Sequence, residues 1–172
     1  ETPAFKLPNF EVLGLLGRGG MASVWKARQV SLDRFVAVKI LSSSFATDPD
    51  DIRRFREEAR AAAQLKHPGI VQVYDANFSD GVYYFVMELV DGYTMGDLLR
   101  RKGQIDEEDA LIVAESVAVA MDYAWTHYRM VHCDIKPDNI MVDADGTVKV
   151  TDLGLSRSVT LVTSEKQDES EE

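Results

Sequence analysis

The 172-residue sequence predicts an α+β fold, with hairpin strands in its first half and mainly helices after them. Three observations support this. Short runs rich in Val, Ile and aromatic residues alternate with Gly, Asp and Ser turns before residue 90. The stretches 49–66 and 106–128 carry apolar residues at helical spacing. Between two short apolar runs, Met130-Val131 and Ile140-Met141-Val142, lies a polar loop, His132-Cys133-Asp134-Ile135-Lys136-Pro137-Asp138-Asn139.

Taken in order, Phe10 to Leu16 reads as a strand, broken by Gly17-Arg18-Gly19-Gly20-Met21-Ala22 and resumed from Ser23 to Arg28. Glycines in such a hairpin let backbone N–H groups approach a polyphosphate with no Cβ in the way. By themselves they fit a plain turn equally well. Phe35 to Leu41 is a further strand, and Lys39 is the lone charge inside it. Burying an ammonium without a partner is costly, so Lys39 needs an anion unless it reaches solvent from an edge strand.

Asp48-Pro49 reads as the cap and first residue of a helix running to about Lys66. Glu57 and Glu58 are adjacent but point about 100° apart on a helix. Glu58 stands three and four residues from Phe55 and Ala62, so it faces the protein body and Glu57 faces solvent. Strands are expected at Ile70–Asn77 and Val82–Leu89, joined by Ser79-Asp80-Gly81. His67 reads as a turn residue and His127 as structural. A short helix at Met95–Arg101 precedes the long one, which opens on acids at 106–109. Leu111, Val113, Ala114, Val117, Ala118, Met121 and Trp125 give that helix a wide apolar face, predicting a core helix. Asp143-Ala144-Asp145-Gly146 reads as a hairpin turn rather than a calcium loop, because the remaining ligands are missing.

The formal net charge is −10, which argues against nucleic acid as a partner. No apolar run is long enough to cross a membrane. One Cys permits no internal disulfide and fits a reducing, cytoplasmic setting. The opening does not read as a signal peptide and lacks an initiator Met, so a piece of a longer protein is expected, with room for a membrane anchor outside it. From Ser156 the order signal fades into an acidic end, with hydroxyls at Ser158, Thr160, Thr163 and Ser164.

The loop His132–Asn139 resembles the catalytic loop of the eukaryotic-type protein kinases, and the family's other motifs follow the right order from Phe10 to Arg157. The bacterial serine/threonine kinases are the most similar branch, by the glycine loop Gly17-Arg18-Gly19-Gly20-Met21-Ala22-Ser23-Val24. Three positions depart from the pattern: Cys133 for Arg, Ala22 for the third Gly, and Leu153 for Phe in Asp152-Leu153-Gly154.

The resemblance implies a five-stranded antiparallel N-lobe with a C-helix at 10–90, after an extension at 1–9. A partial C-lobe at 91–157 and part of an activation segment at 158–172 complete the expected organisation. It implies ATP and Mg²⁺ as cofactors, and a protein bearing Ser or Thr as substrate. Asp134 would accept the hydroxyl proton, and Lys136 would stabilise the transferring phosphoryl. Lys39, held by Glu58, would position the α- and β-phosphates. Asn139 and Asp152 would hold Mg²⁺. Gly17, Gly19 and Gly20 would cover the phosphates. Leu16, Val24, Ala37 and Met141 would enclose the adenine, with Met87 as gatekeeper and the backbone of Glu88 and Val90 as its hydrogen-bonding edge.

The competing expectations are a pseudokinase or interaction module, and a small-molecule kinase of the same fold. Retention of Lys39, Glu58, Asp134, Asn139 and Asp152 disfavours the former, and Lys136 disfavours the latter. Because no Ala-Pro-Glu-like motif follows Asp152, weak activity is expected, with a dimer covering apolar faces. Cys133 cannot pair with a phosphorylated loop as Arg does, so control through that residue is not expected.

Overall fold

The computed structural model describes residues 5–152 and the backbone of 157–158. A five-stranded antiparallel sheet of order β1-β2-β3-β5-β4 is built from β1 (Phe10–Arg18), β2 (Ala22–Gln29), β3 (Arg34–Leu41), β4 (Val73–Ser79) and β5 (Val82–Met87). The central strand β3 is apolar on both sides because both sides are covered. Side chains alternate along it. Val36, Val38 and Ile40 join Trp25, Ala27, Tyr84 and Val86 on one face. Ala37 and Leu41 join Phe85 and Met87 on the other. Lys39 falls in the second set.

That second face carries α1 (Pro49–Gln64). The Asp48 side chain accepts a hydrogen bond from the Asp50 N–H at 2.8 Å, and Pro49 opens the first turn. The buried stripe of α1 is Phe55, Glu58, Ala59 and Ala62. The Phe55 and Phe85 rings lie 5.1 Å apart, centroid to centroid. Burying a Phe at this position is worth roughly 2 kcal/mol, enough to set which side of the helix faces the sheet.

The second part begins with β6 (Gly92–Thr94) and α2 (Met95–Lys102), whose capping box pairs Thr94 with Asp97. After α3 (Glu107–Tyr128) come β7 (Met130–Val131), β8 (Ile140–Asp143) and β9 (Val148–Val150). β6, β8 and β9 form a three-stranded sheet, and β10 (Arg157–Ser158) pairs with β7. The turn between β8 and β9 is held by Asp143 and Asp145 accepting from the Thr147 N–H. Gly146 there has φ +88°.

Several expectations shift. The run from Ile70 becomes regular strand only at Val73, because residues 69–71 pair instead with β9: Val150 N–H donates to Gly69 O and Val71 N–H to Val150 O. β5 ends at Met87, where the Glu88 N–H donates to Gln72 O. The region at 1–9, expected as an extension, is packed in its described part: Leu7 is buried and Phe5 stands edge-on to Trp25. The core-helix expectation for α3 holds only in part: Val113, Val117 and Met121 pack against the buried clusters. Only Ala120 and Ala124 are buried there, while Leu111, Ile112 and Val119 are exposed. Apolar residues ring this helix, so its pattern could not tell which side would be covered. The expected hydroxyls at Ser158, Thr160, Thr163 and Ser164, the Leu153-Gly154 pair and the acidic end lie outside the described residues or side chains.

Gly92 pairs with Asp143, and a Cβ at that position would sit 1.9 Å from Val142 O. Gly92→Ala is therefore expected to destabilise the chain by about 2 kcal/mol or more. At Gly14, by contrast, an added Cβ meets nothing within 4 Å. Thermal unfolding of Gly92→Ala beside Gly14→Ala checks this, and equal midpoints would refute it.

Candidate active site

The site forms where the open end of the β8–β9 hairpin meets the α1-covered face of the first sheet. Antiparallel pairing of Ile140 with Val150 aligns the residues just outside the hairpin. The Thr151 N–H accordingly donates to Asn139 O at 3.0 Å. This pairing brings the 132–139 loop beside Asp152, although the two are far apart in sequence. His132, buried, adds a second tie. Its Nδ1 accepts from the Asp134 N–H at 3.2 Å, so Nε2 carries the proton and donates to Thr151 O at 2.9 Å.

Lys39 lies opposite Val24 on β2 and Phe85 on β5, in the middle of the sheet rather than at an edge. Its Nζ donates to Glu58 Oε1 and to Asp152 Oδ1, each at 2.5 Å. Lys39 and Glu58 are each only 9% exposed, so the ammonium depends on these carboxylates. Glu57 faces solvent. Burial disfavours the Lys39 ammonium, but Glu58 and then Asp152 outweigh it, and its pKa lies above the ordinary lysine value. Burial pushes the Glu58 carboxyl up, and Lys39, shared with Asp152, offsets this only in part. A narrow cleft behind the lysine is lined by Glu58, Phe85, Met87 and Asp152. A wider groove of about 430 Å³ lies between α1 and β4–β5 and contains none of these polar groups.

On the loop, Lys136 Nζ stands 2.8 Å from Asp134 Oδ2. Asn139 Nδ2 donates to Asp134 O at 2.9 Å and to Asp134 Oδ2 at 3.0 Å. With its nitrogen used twice, Asn139 keeps its amide oxygen for another ligand. Lys136, before Asn139, holds the Asp134 carboxyl below the usual aspartate range. Cys133 and Asp152 both adopt left-handed backbone, at φ 66° and 59°, which is uncommon for residues other than glycine. The Cys133 side chain is exposed.

Around this centre, Gly17 pairs with Val24, Val24 with Lys39, and Ala37 with Met87. Ala37 and Met87 are buried, Val24, Glu88, Val90 and Met141 half-buried, and Leu16, Gly17, Gly19 and Gly20 exposed. The Gly19 N–H donates to Ala22 O at 2.8 Å, closing the turn.

Sequence reasoning missed three supports. Arg100 Nη1 donates to Asp138 Oδ1 at 2.8 Å, fastening the loop to α2. A Cβ on Gly96 would meet the same Asp138 oxygen at 2.1 Å. Lys149, buried, lies 2.9 Å from Glu88 Oε1. Lys149 is a lone charge among valines, the signal that singled out Lys39.

The depressed Asp134 pKa carries a definite sign. Its stabilising part is present above the ordinary carboxylate range and is lost as pH falls through the folded value. Lys136→Met should raise the Asp134 pKa toward that ordinary range. Carboxyl ¹³C NMR titration checks this, and an unmoved midpoint would refute it.

The family model for the protein kinase domain matches residues 10–170. The chain is 42% identical over 154 residues to serine/threonine-protein kinase PrkC of Bacillus subtilis, covering 90% of this chain and 24% of that protein. It is 42% identical over 150 residues to serine/threonine-protein kinase PknA of Mycobacterium tuberculosis, covering 84% of this chain and 35% of that one. The chain thus spans about a quarter to a third of these relatives. The crystal structure of the PknI kinase domain of Mycobacterium tuberculosis superposes with a TM-score of 0.75 at 27% identity, covering 90% of this chain and 63% of that one.

Proposed function

The chain belongs to the protein kinase domain family, and from that premise we propose that it forms the nucleotide-binding and catalytic-loop part of an ATP-dependent serine/threonine protein kinase. The observation that carries the proposal is the buried Lys39, bonded to Glu58 and Asp152, with the Asp134–Lys136–Asn139 loop tied to the same strand end. The substrates would be ATP and a protein bearing a Ser or Thr hydroxyl. The N-lobe would span 10–90 and the partial C-lobe 91–157. A cytoplasmic location follows from the need for ATP. Among the described residues no helix is long and apolar enough to cross a membrane.

The residues also fit a magnesium ion. Among the described residues no group of three or more His, Cys, Asp or Glu side chains could hold a metal alone. Mg²⁺ needs no such cage, because it binds through one or two protein oxygens plus substrate phosphates. Asp152 and the free amide oxygen of Asn139 would hold it. When bound, it neutralises charge on the phosphates.

Lys39 has three donor hydrogens, so it can keep Glu58 while turning another toward the α- and β-phosphates. The glycine turn would cover the phosphates with backbone N–H groups. Asp134 would accept the proton of the attacking hydroxyl. That oxygen forms its bond to the γ-phosphorus as the bond to the β–γ bridging oxygen breaks, leaving ADP. Lys136 would balance charge on the moving phosphoryl group. The work is positioning and charge neutralisation, with no covalent enzyme intermediate.

Two measurements test this reading. Mg·ATP at one hundred times its dissociation constant should stabilise the chain by ~2.7 kcal/mol. Lys39→Met and Asp152→Asn should lose most of that gain in thermal unfolding. Transfer of labelled γ-phosphate to casein should fall roughly 10²- to 10⁴-fold in Asp134→Asn. No midpoint shift with Mg·ATP, in a chain that unfolds cooperatively, would refute nucleotide binding. Transfer unaffected by Asp134→Asn would refute the role of that residue.

A further inference from the structure

Lys149 is charged, buried and outside the machinery described so far. It lies on β9 between Val148 and Val150, three residues before Asp152, and is 9% exposed. Its ammonium makes two contacts at 2.9 Å, one to Glu88 Oε1 and one to Pro68 O. Glu88 is held on its other side as well. Its Oε2 accepts from the Gln72 N–H at 3.3 Å, and its own N–H donates to Gln72 O at 2.8 Å.

Three segments therefore meet at one ammonium. The first is the turn at 67–69, just beyond the helix that carries Glu58. The second is the connection after β5, which carries the backbone groups of Glu88 and Val90. The third is β9, which leads into Asp152 two residues beyond its end. Backbone pairing reinforces only part of this junction. Residues 69–71 bond to Val150, but no backbone hydrogen bond joins Glu88 to β9 among the described residues. The Glu88–Lys149 contact supplies that link.

We propose that Lys149 is a positioning residue of the nucleotide site, clamping the Glu88 connection to β9, the strand that leads into Asp152. This rests on the nucleotide-binding reading above. The adenine edge and the metal-holding carboxylate lie on different parts of the fold, and a single nucleotide must meet both. An ion pair between the buried Lys149 and the half-buried Glu88 fixes their separation before the nucleotide arrives. Removing the Glu88 carboxylate also leaves the buried Lys149 ammonium with only the Pro68 carbonyl, which displaces the segment carrying it. A misplacement of about 1 Å in a binding site can cost as much as a hundredfold.

The test uses the fluorescent analogue N-methylanthraniloyl-ATP with Mg²⁺ on this chain. The variants are Lys149→Met, Glu88→Gln and the double variant, each also followed by thermal unfolding. Leu7→Ala serves as a stability control, because Leu7 is buried on the opposite face of the first sheet. Each single variant should bind roughly tenfold more weakly, and the double variant no more weakly than the worse single one, as expected for two residues acting as a unit. Leu7→Ala should lower the unfolding midpoint and leave affinity unchanged.

Wild-type chain that fails to bind the analogue overturns the nucleotide reading and the clamp with it. Wild-type binding with both single variants unchanged or tighter overturns the clamp alone. So do losses that multiply in the double variant. If every variant loses its cooperative transition, the pair is a folding element only, and the clamp is likewise overturned.

Discussion

The structure depends on keeping a lysine ammonium out of water in the middle of a sheet. Removing an unpaired ammonium from solvent costs several kcal/mol, and an isolated one would deprotonate or drag its strand to the surface. Lys39 does neither because Glu58 reaches it from α1 and Asp152 reaches it from the end of β9. That requirement places constraints on both elements. The helix must turn Glu58, rather than Glu57, toward the sheet, which the burial of Phe55, Ala59 and Ala62 on the same side achieves. The segment after β9 must approach closely, which the bonding of Val150 to residues 69–71 achieves.

The second organising element is the β8–β9 hairpin. Its turn is local and polar, but its consequence is long-range. Antiparallel pairing puts Asn139 and Thr151 side by side, and the left-handed backbone of Asp152 carries its carboxylate onward to Lys39. His132 then fixes the loop to the same strand through a single tautomer. The 132–139 loop is thus positioned by hydrogen bonds to backbone and by Arg100 on α2. The pair formed by Glu88 and Lys149 repeats the logic of Lys39, with one carboxylate and one carbonyl around one buried ammonium.

Much of this was legible residue by residue. The apolar run from Phe35 to Leu41 marked a strand, and the lone Lys39 within it marked a charge needing an anion. Helical geometry separated Glu58 from Glu57 without any structure. The Asp48-Pro49 cap located the start of α1. Lys149 passed unnoticed although the same lone-charge argument applied, because its strand is only three residues long and reads as one arm of a turn. That α3 would leave apolar faces uncovered was expected, but not that Leu111, Ile112 and Val119 would be among the exposed residues. Apolar residues surround α3, and a pattern that points in every direction selects none. Gly92 and Gly96 carried no signal at all. Their need for a missing Cβ comes from Val142 O and Asp138, neighbours distant in sequence.

The sequence by itself determined the local structure and the chemical inventory: which runs are strands, where the helices begin, and which carboxylates, ammonium groups and amide stand at motif spacing. Those properties depend on side-chain periodicity and capping, which act over a few residues. Only the tertiary structure decided which charges meet. The partnerships of Lys39 with Asp152, His132 with Thr151, Arg100 with Asp138 and Lys149 with Glu88 all span turns or whole elements. Contact between such groups follows from strand order and helix docking. The cost of burying charge then requires every buried ammonium to find its anion.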